Sequence, residues 1–173
     1  NKEDDFAVAQ SNGLPLRADD FGNSISAASP IWGSRGGTVD GVIEQADDAD
    51  VFFFTAAAGA FTASLAPSSR SANADLVLTL FDASGAQLAT HNPLDGLGAS
   101  LSYQLPAAGT YYIEVRTAGL GDPASTGYTS YGSVGNYRVS TSFQSGGTPP
   151  SPVLTASAST GIAPVAITLD ASQ

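Results

Sequence analysis

Asp47-Asp48-Ala49-Asp50-Val51-Phe52-Phe53-Phe54 sets three carboxylates directly against a short, strongly apolar run. A second apolar run, Phe61-Thr62-Ala63-Ser64-Leu65, follows after Ala56-Ala57-Ala58-Gly59-Ala60. Phe52 and Phe54 are two residues apart, as are Phe61, Ala63 and Leu65. A period of two places each set on one face of a β-strand. Carboxylates do not enter a core unpaired, so the acidic group is expected at the mouth of the strand, in water or around a cation. The junction of acidic loop and core strand points to a β-module, stiffened by metal, rather than to an enzyme.

Working outward, the rest of the chain repeats the strand signal. On the N-terminal side, Gly36-Gly37-Thr38-Val39-Asp40-Gly41-Val42-Ile43-Glu44 reads as a strand with a glycine interruption. On the other side, Ala74-Asp75-Leu76-Val77-Leu78-Thr79-Leu80-Phe81-Asp82 is apolar at nearly every position and is expected to be covered on both faces or nearly so. Ala83-Ser84-Gly85-Ala86 then turns the chain into Gln87–His91 as a hairpin. Ala99–Leu105 alternates with Leu101, Tyr103 and Leu105 inward, and Thr110–Arg116 alternates with Tyr111, Ile113 and Val115 inward. A long loop over 117–134 precedes a last strand, Asn136–Ser140. Phe6-Ala7-Val8-Ala9 suits one helical turn or a short strand, and Arg17–Ser24 is turn chemistry. Roughly eight short strands at intervals of about 8–12 residues, with no amphipathic helix, predict an all-β, jelly-roll-like antiparallel sandwich.

Composition agrees. The chain has 173 residues, 42% of them hydrophobic and only 13% charged, with 19 Gly and 10 Pro. This profile suits an extracellular all-β module. A formal net charge of −10, with six Lys and Arg in all, excludes nucleic acid as a partner, because phosphate neutralisation needs cations on the protein. No apolar run approaches the ~20 residues of a membrane span. Cys and Met are absent, so thiol chemistry and disulfides are excluded. With no signal peptide visible, and with Asn1 and Gln173 falling mid-phrase, the chain reads as a piece of a longer precursor.

Four ordered motifs resemble the bacterial pre-peptidase C-terminal (PPC) domain. They are Asp19-Asp20-Phe21-Gly22-Asn23; Gly41-Val42-Ile43-Glu44 with Asp47, Asp50, Val51, Phe52 and Phe54; Ala108–Val115; and Gly127–Tyr137. The resemblance runs from about residue 17 to 143. The tail, Val153–Ser157 with Gly161–Ser172, resembles the first two strands of a polycystic-kidney-disease-type (PKD) domain. The head, Asn1–Val8, resembles the end of a metzincin-type metalloprotease domain. The resulting division is 1–16, tail of a preceding catalytic domain; 17–144, PPC-like sandwich; 145–152, a Gly/Pro linker; and 153–173, the first strands of a truncated PKD-like domain. The resemblance implies a secreted, extracellular accessory region of a protease, often removed during maturation. Its relatives in the clostridial collagenases bind collagen and hold calcium near the N-terminal segment of the sandwich. By that pattern Asp47 and Asp50 match the acidic pair, and Asp19, Asp20 and Asn23 stand in for the acidic linker.

Calcium takes six to eight oxygens from carboxylates, amides and carbonyls. Asp19, Asp20, Asn23, Asp47 and Asp50 supply that chemistry if their loops meet, and the competing reading is a solvated acidic turn. Asp122, with carbonyls of the 117–134 loop, is a second candidate. Tyr112 and Tyr128 are the tyrosines expected at the surface, either as a ligand-binding strip or packed at a sheet edge. Asp40 and Glu44, four apart on one strand face, need no role beyond solubility. His91 is the only histidine; without a Gly-x-Ser-x-Gly elbow or a zinc motif it reads as a surface residue, and catalysis is not expected. Two functions remain open. One is a non-catalytic protease module that grips a protein or polymeric substrate. The other is a self-assembling subunit whose terminal strands add to the sheet edge of a neighbouring copy.

Overall fold

A computed structural model describes residues 4–120, 122 and 124–146, together with the backbone of a short ribbon at 155–156 and 169–170. Nine strands form two sheets. The chain begins with helix α1 (Asp5–Ser11) and then runs β1 (Ser29–Pro30), β2 (Thr38–Ile43), β3 (Asp50–Ala56), β4 (Gly59–Pro67) and β5 (Leu76–Phe81). It continues through β6 (Gln87–His91), β7 (Ala99–Leu105), β8 (Gly109–Thr117) and β9 (Gly135–Ser142). One sheet has the order β1-β3-β8-β5-β6 and the other β2-β9-β4-β7. All pairings within these sheets are antiparallel except β1 with β3. The predicted all-β sandwich is the fold observed.

The two runs that neighbour one another in sequence, β3 and β4, lie in opposite sheets. Their link is only Ala57-Ala58, and Gly59 adopts φ +134, a backbone state that side chains disfavour. The alternation then closes the core. Phe54 of β3 stacks on Phe61 of β4 with ring centroids 4.9 Å apart and planes 8° apart. It also stacks on Phe143, at 4.7 Å. Leu76, Leu78 and Leu80 of β5, Ile113 and Val115 of β8, and Val139 of β9 fill the same interior. Each such side chain contributes about 1.5–3 kcal/mol on full burial. β5 lies between β8 and β6, with Leu76, Leu78, Thr79 and Leu80 buried and Val77 and Phe81 half-buried, in keeping with its near-continuous apolar sequence.

Turn chemistry fixes the β5–β6 hairpin. Asp82 Oδ1 accepts from the backbone N–H groups of Ser84 (2.8 Å) and Ala86 (3.0 Å), so an aspartate shapes its own turn. The segment Phe6–Ala9 is helical, not a strand: Asp4 caps it by accepting from Ala7 N at 3.1 Å. The hydroxyl of Tyr131 donates to Asp4 at 2.8 Å, which fastens α1 to the loop that follows β8. Strand β1 has no sequence signal. Its two residues, one a proline, sit at a sheet edge, where a missing N–H is tolerated. In the tail, Thr155 pairs with Asp170 and Ala156 with Leu169 in antiparallel fashion. The remainder of the PKD-like expectation, and the linker from residue 147 onward, lie outside the described residues. Among the described residues no helix is long and apolar enough to cross a membrane.

Candidate metal centre

Three separate segments meet at one end of the sandwich: the loop before β1, the β2–β3 connection, and the first residue of β3. Carboxylate oxygens of Asp19, Asp20 and Asp50 lie within 4.8 Å of one another, and so do those of Asp19, Glu44 and Asp48. Asp19 belongs to both groups, so five carboxylates form one cluster.

Each is held by local structure. The 19–23 loop is latched onto β3 by the N–H of Val51, which donates to the Gly22 carbonyl at 3.1 Å. Phe21 packs edge-on against Phe52 at 4.8 Å, and Asn23 Oδ1 accepts from Ala49 N at 3.3 Å. The loop between β2 and β3 is tight because Asp48 Oδ2 accepts from the backbone N–H of Glu44 at 3.0 Å. Asp50 accepts from the hydroxyl of Tyr137, on β9, at 2.5 Å. That reach depends on a glycine. A Cβ on Gly41 would stand 2.3 Å from the Tyr137 hydroxyl oxygen, so the tyrosine can lie across β2 only where no side chain exists.

The cluster is exposed on one side, at Asp19 and Asp20, and buried on the other. Glu44 is 8% exposed, Asp48 6% and Asp50 0%. The reason is the 19–23 loop, which roofs the end of β2. Both oxygens of Glu44 and one each of Asp48 and Asp50 lack any hydrogen-bond partner in the protein. Arg17 approaches Glu44 at 3.8 Å, but from an exposed position. Burial, reinforced by Asp48, Asp20 and Asp50, pushes the Glu44 carboxyl up to about 8. Burial likewise pushes Asp50 up to about 7, against the opposing pull of the Tyr137 hydrogen bond. Asp20 is raised as well, chiefly by burial. Tyr137, buried against Asp50, is held far above the usual range of a phenol.

The structure brings together Asp19, Asp20 and Asp50 of the residues singled out from sequence, with Asn23 beside them as a loop tie. It does not bring in Asp47, which is exposed; Asp48 takes that place. Nor does it bring in Asp122, whose Oδ1 accepts from Ala124 N at 2.9 Å and whose carbonyl accepts from Ser125 N and Gly127 N, so it closes its own turn. Glu44 was missed. The spacing puts it on a strand face with Asp40, whereas β2 ends at Ile43 and Glu44 follows it; the loop covering that end is a tertiary event no local pattern carries. Tyr112 is half-buried on the outer face of β8, paired across strands with Phe53 and Phe81. Tyr128 lies in the loop after β8 and is 41% exposed. His91 is half-buried; its Nδ1 accepts from Ser100 N at 3.0 Å, a link from β6 to β7.

The class these features define is an all-β sandwich with a buried acidic centre at one end. Residues 48–117 match the family described as the bacterial pre-peptidase C-terminal domain. The chain is similar to the pre-peptidase C-terminal domain of a collagenase from Bacillus anthracis, with 18% identity, 73% of this chain and 99% of that one covered, and a TM-score of 0.48. It is also similar to a periplasmic inhibitor of g-type lysozyme from Aeromonas hydrophila, with 19% identity, 68% and 96% covered, and a TM-score of 0.46. A mitogen from Yersinia pseudotuberculosis shows 15% identity, 68% and 92% covered, and a TM-score of 0.42. Among curated proteins none matches the chain.

Proposed function

We propose that this chain is a non-catalytic accessory module of a secreted bacterial protease, serving in substrate or surface targeting or in maturation, and that calcium stabilises it at the acidic end of the sandwich. The family match over residues 48–117 supports the first part. One observation carries the second: four carboxylate oxygens of Glu44, Asp48 and Asp50 are buried without a hydrogen-bond donor, beside Asp19 and Asp20.

Buried carboxylates left unpaired are strongly unfavourable, and three on one site repel as well. A divalent cation removes both penalties. The donor set is entirely oxygen, which suits a hard ion, and its size and loop origin suit calcium better than the stricter octahedral geometry of magnesium. Asp19, Asp20, Glu44, Asp48 and Asp50 would hold the ion, which would supply charge neutralisation and no reaction chemistry. Tyr137 orients Asp50, Asn23 fixes the loop above Asp48, and Phe21 pins that loop to the core. In effect the 19–23 loop becomes a strap whose closure depends on charge.

Isothermal titration of calcium into chelator-treated protein tests the site. Saturable binding that is lost in Asp48→Asn supports it, and heats no larger than dilution refute it. Retention on insoluble extracellular protein polymers, such as collagen or elastin, tests the targeting role; no retention on any of them counts against it.

A further inference from the structure

One cation of the chain already stands at the acidic centre. Arg17 lies two residues before Asp19, at the entry to the 19–23 loop. Its Nε is 3.8 Å from Glu44 Oε1, within ion-pair range but too far for a hydrogen bond. Both Glu44 oxygens lack a donor, so the guanidinium attracts that carboxylate without satisfying it. Burial raises the Asp20 carboxyl, while the N–H of Val42 and the charge of Arg17 pull it back down. Arg17 therefore acts on both halves of the cluster: Asp20 belongs to the triplet with Asp19 and Asp50, and Glu44 to the triplet with Asp19 and Asp48.

The other described arginines are held elsewhere. Arg116 pairs with Glu114, and Arg138 with Asp40. Arg35 sits in the loop between β1 and β2, where its carbonyl accepts from Phe143 N. Arg70 sits in the loop after β4, where its N–H donates to Ser68 Oγ. Among the described residues, Arg17 alone forms an ion pair with a carboxylate of the cluster. Its position also makes that contact persistent. Two residues of chain span at most about 7 Å, so Arg17 stays near Asp19. Its side chain is 60% exposed, which leaves the guanidinium room to swing out into water.

Two cations then contend for one set of oxygens. A group tethered this closely is present at a local concentration of about millimolar or more, whatever the solution contains. A guanidinium cannot lose its charge, so the competition does not relax by deprotonation. A divalent ion that takes up Glu44 meets that unit charge a few ångströms away. Either the arginine is pushed out into water, and the metal-free state loses a favourable contact, or it stays and repels the ion. Both routes lower the affinity for the metal. We propose, resting on the calcium reading above, that Arg17 is the resident counter-ion of the metal-free centre. Calcium displaces it on binding, and its charge holds the affinity below what the five carboxylates alone would give.

Isothermal titration of calcium into the chelator-treated chain, Arg17→Gln and Arg17→Lys tests this. Arg17→Gln removes the charge and is expected to bind calcium about three- to tenfold more tightly, the size of one solvent-exposed charge beside a divalent ion. Arg17→Lys keeps the charge and should stay within about twofold of the unaltered chain. The direction is the discriminating feature. A side chain that only props the 19–23 loop would weaken binding when altered, so tighter binding does not arise from damage. In chelator, Arg17→Gln should unfold at lower urea than the unaltered chain, and saturating calcium should close that gap. Unchanged or weaker calcium binding by Arg17→Gln, an equal gain in Arg17→Lys, or no loss of stability in chelator would overturn the proposal while leaving the calcium site standing. Heats no larger than dilution in all three proteins would overturn the calcium reading and this proposal together.

Discussion

Asp40, in β2, and Glu44, the first residue after β2, lie four residues apart, yet they occupy opposite electrostatic worlds. Asp40 is exposed and paired with Arg138 through two bonds of 2.6 and 2.7 Å, which holds its carboxyl below the usual range. Glu44, four residues on, is roofed by the 19–23 loop, surrounded by other acids and pushed up to about 8. Two carboxylates four residues apart diverge because the end of β2 is covered and its middle is not. An acid's role in this fold is decided by the loop that closes over it.

That contrast can be broken at the covered end first. Stripping calcium from protein held at a hundredfold excess over its dissociation constant should remove about 2.7 kcal/mol of stability, read as a fall in the urea midpoint. No change would mean the roof closes without an ion. Tyr137→Phe leaves Asp50 without its donor and should lower stability by about 1–3 kcal/mol. Gly41→Ala reaches the same place from the other strand. The added methyl collides with the Tyr137 ring, and overpacking of this kind is expected to destabilise by about 1–3 kcal/mol.

The pH profile sharpens the comparison. Glu44 and Asp50 bind protons more tightly folded than unfolded, so without calcium the folded state holds extra protons between their ordinary range and about 7 to 8. Their contribution to stability is therefore full at low pH and lost as pH rises from about 4 through about 8. Urea midpoints measured across that window in chelator should fall with pH, and Glu44→Gln should flatten the slope. A midpoint that rises over the same range would contradict the assignment. The smallest effect belongs to the open part of the strand: Asp40→Ala should barely move the midpoint, because the lost pair is solvent-screened.

Much of the sandwich was legible because period-two alternation is a local property. Phe61, Ala63 and Leu65 all face inward in β4, as do Tyr111, Ile113 and Val115 in β8. Which sheet each strand joins was not legible, and β3 and β4 part company across two alanines. At the acidic end, Asp19, Asp20 and Asp50 could be picked out as unusual carboxylates beside a core strand. Glu44 and Asp48 could not be told from Asp40 and Asp47, since their burial comes from Phe21 docking on Phe52 and from a turn that Asp48 itself closes. Asp75 carried no signal at all. Its sequence setting is that of a polar residue flanking a strand, and only the return of the loop after β8 encloses it.

The most direct test is a crystal structure of the chain grown in calcium, with anomalous data to locate the ion. The account predicts a single strong peak bounded by Asp19, Asp20, Glu44, Asp48 and Asp50, with the 19–23 loop closed above it. A map with no peak there, and with Glu44 and Asp48 turned outward into solvent, would contradict it.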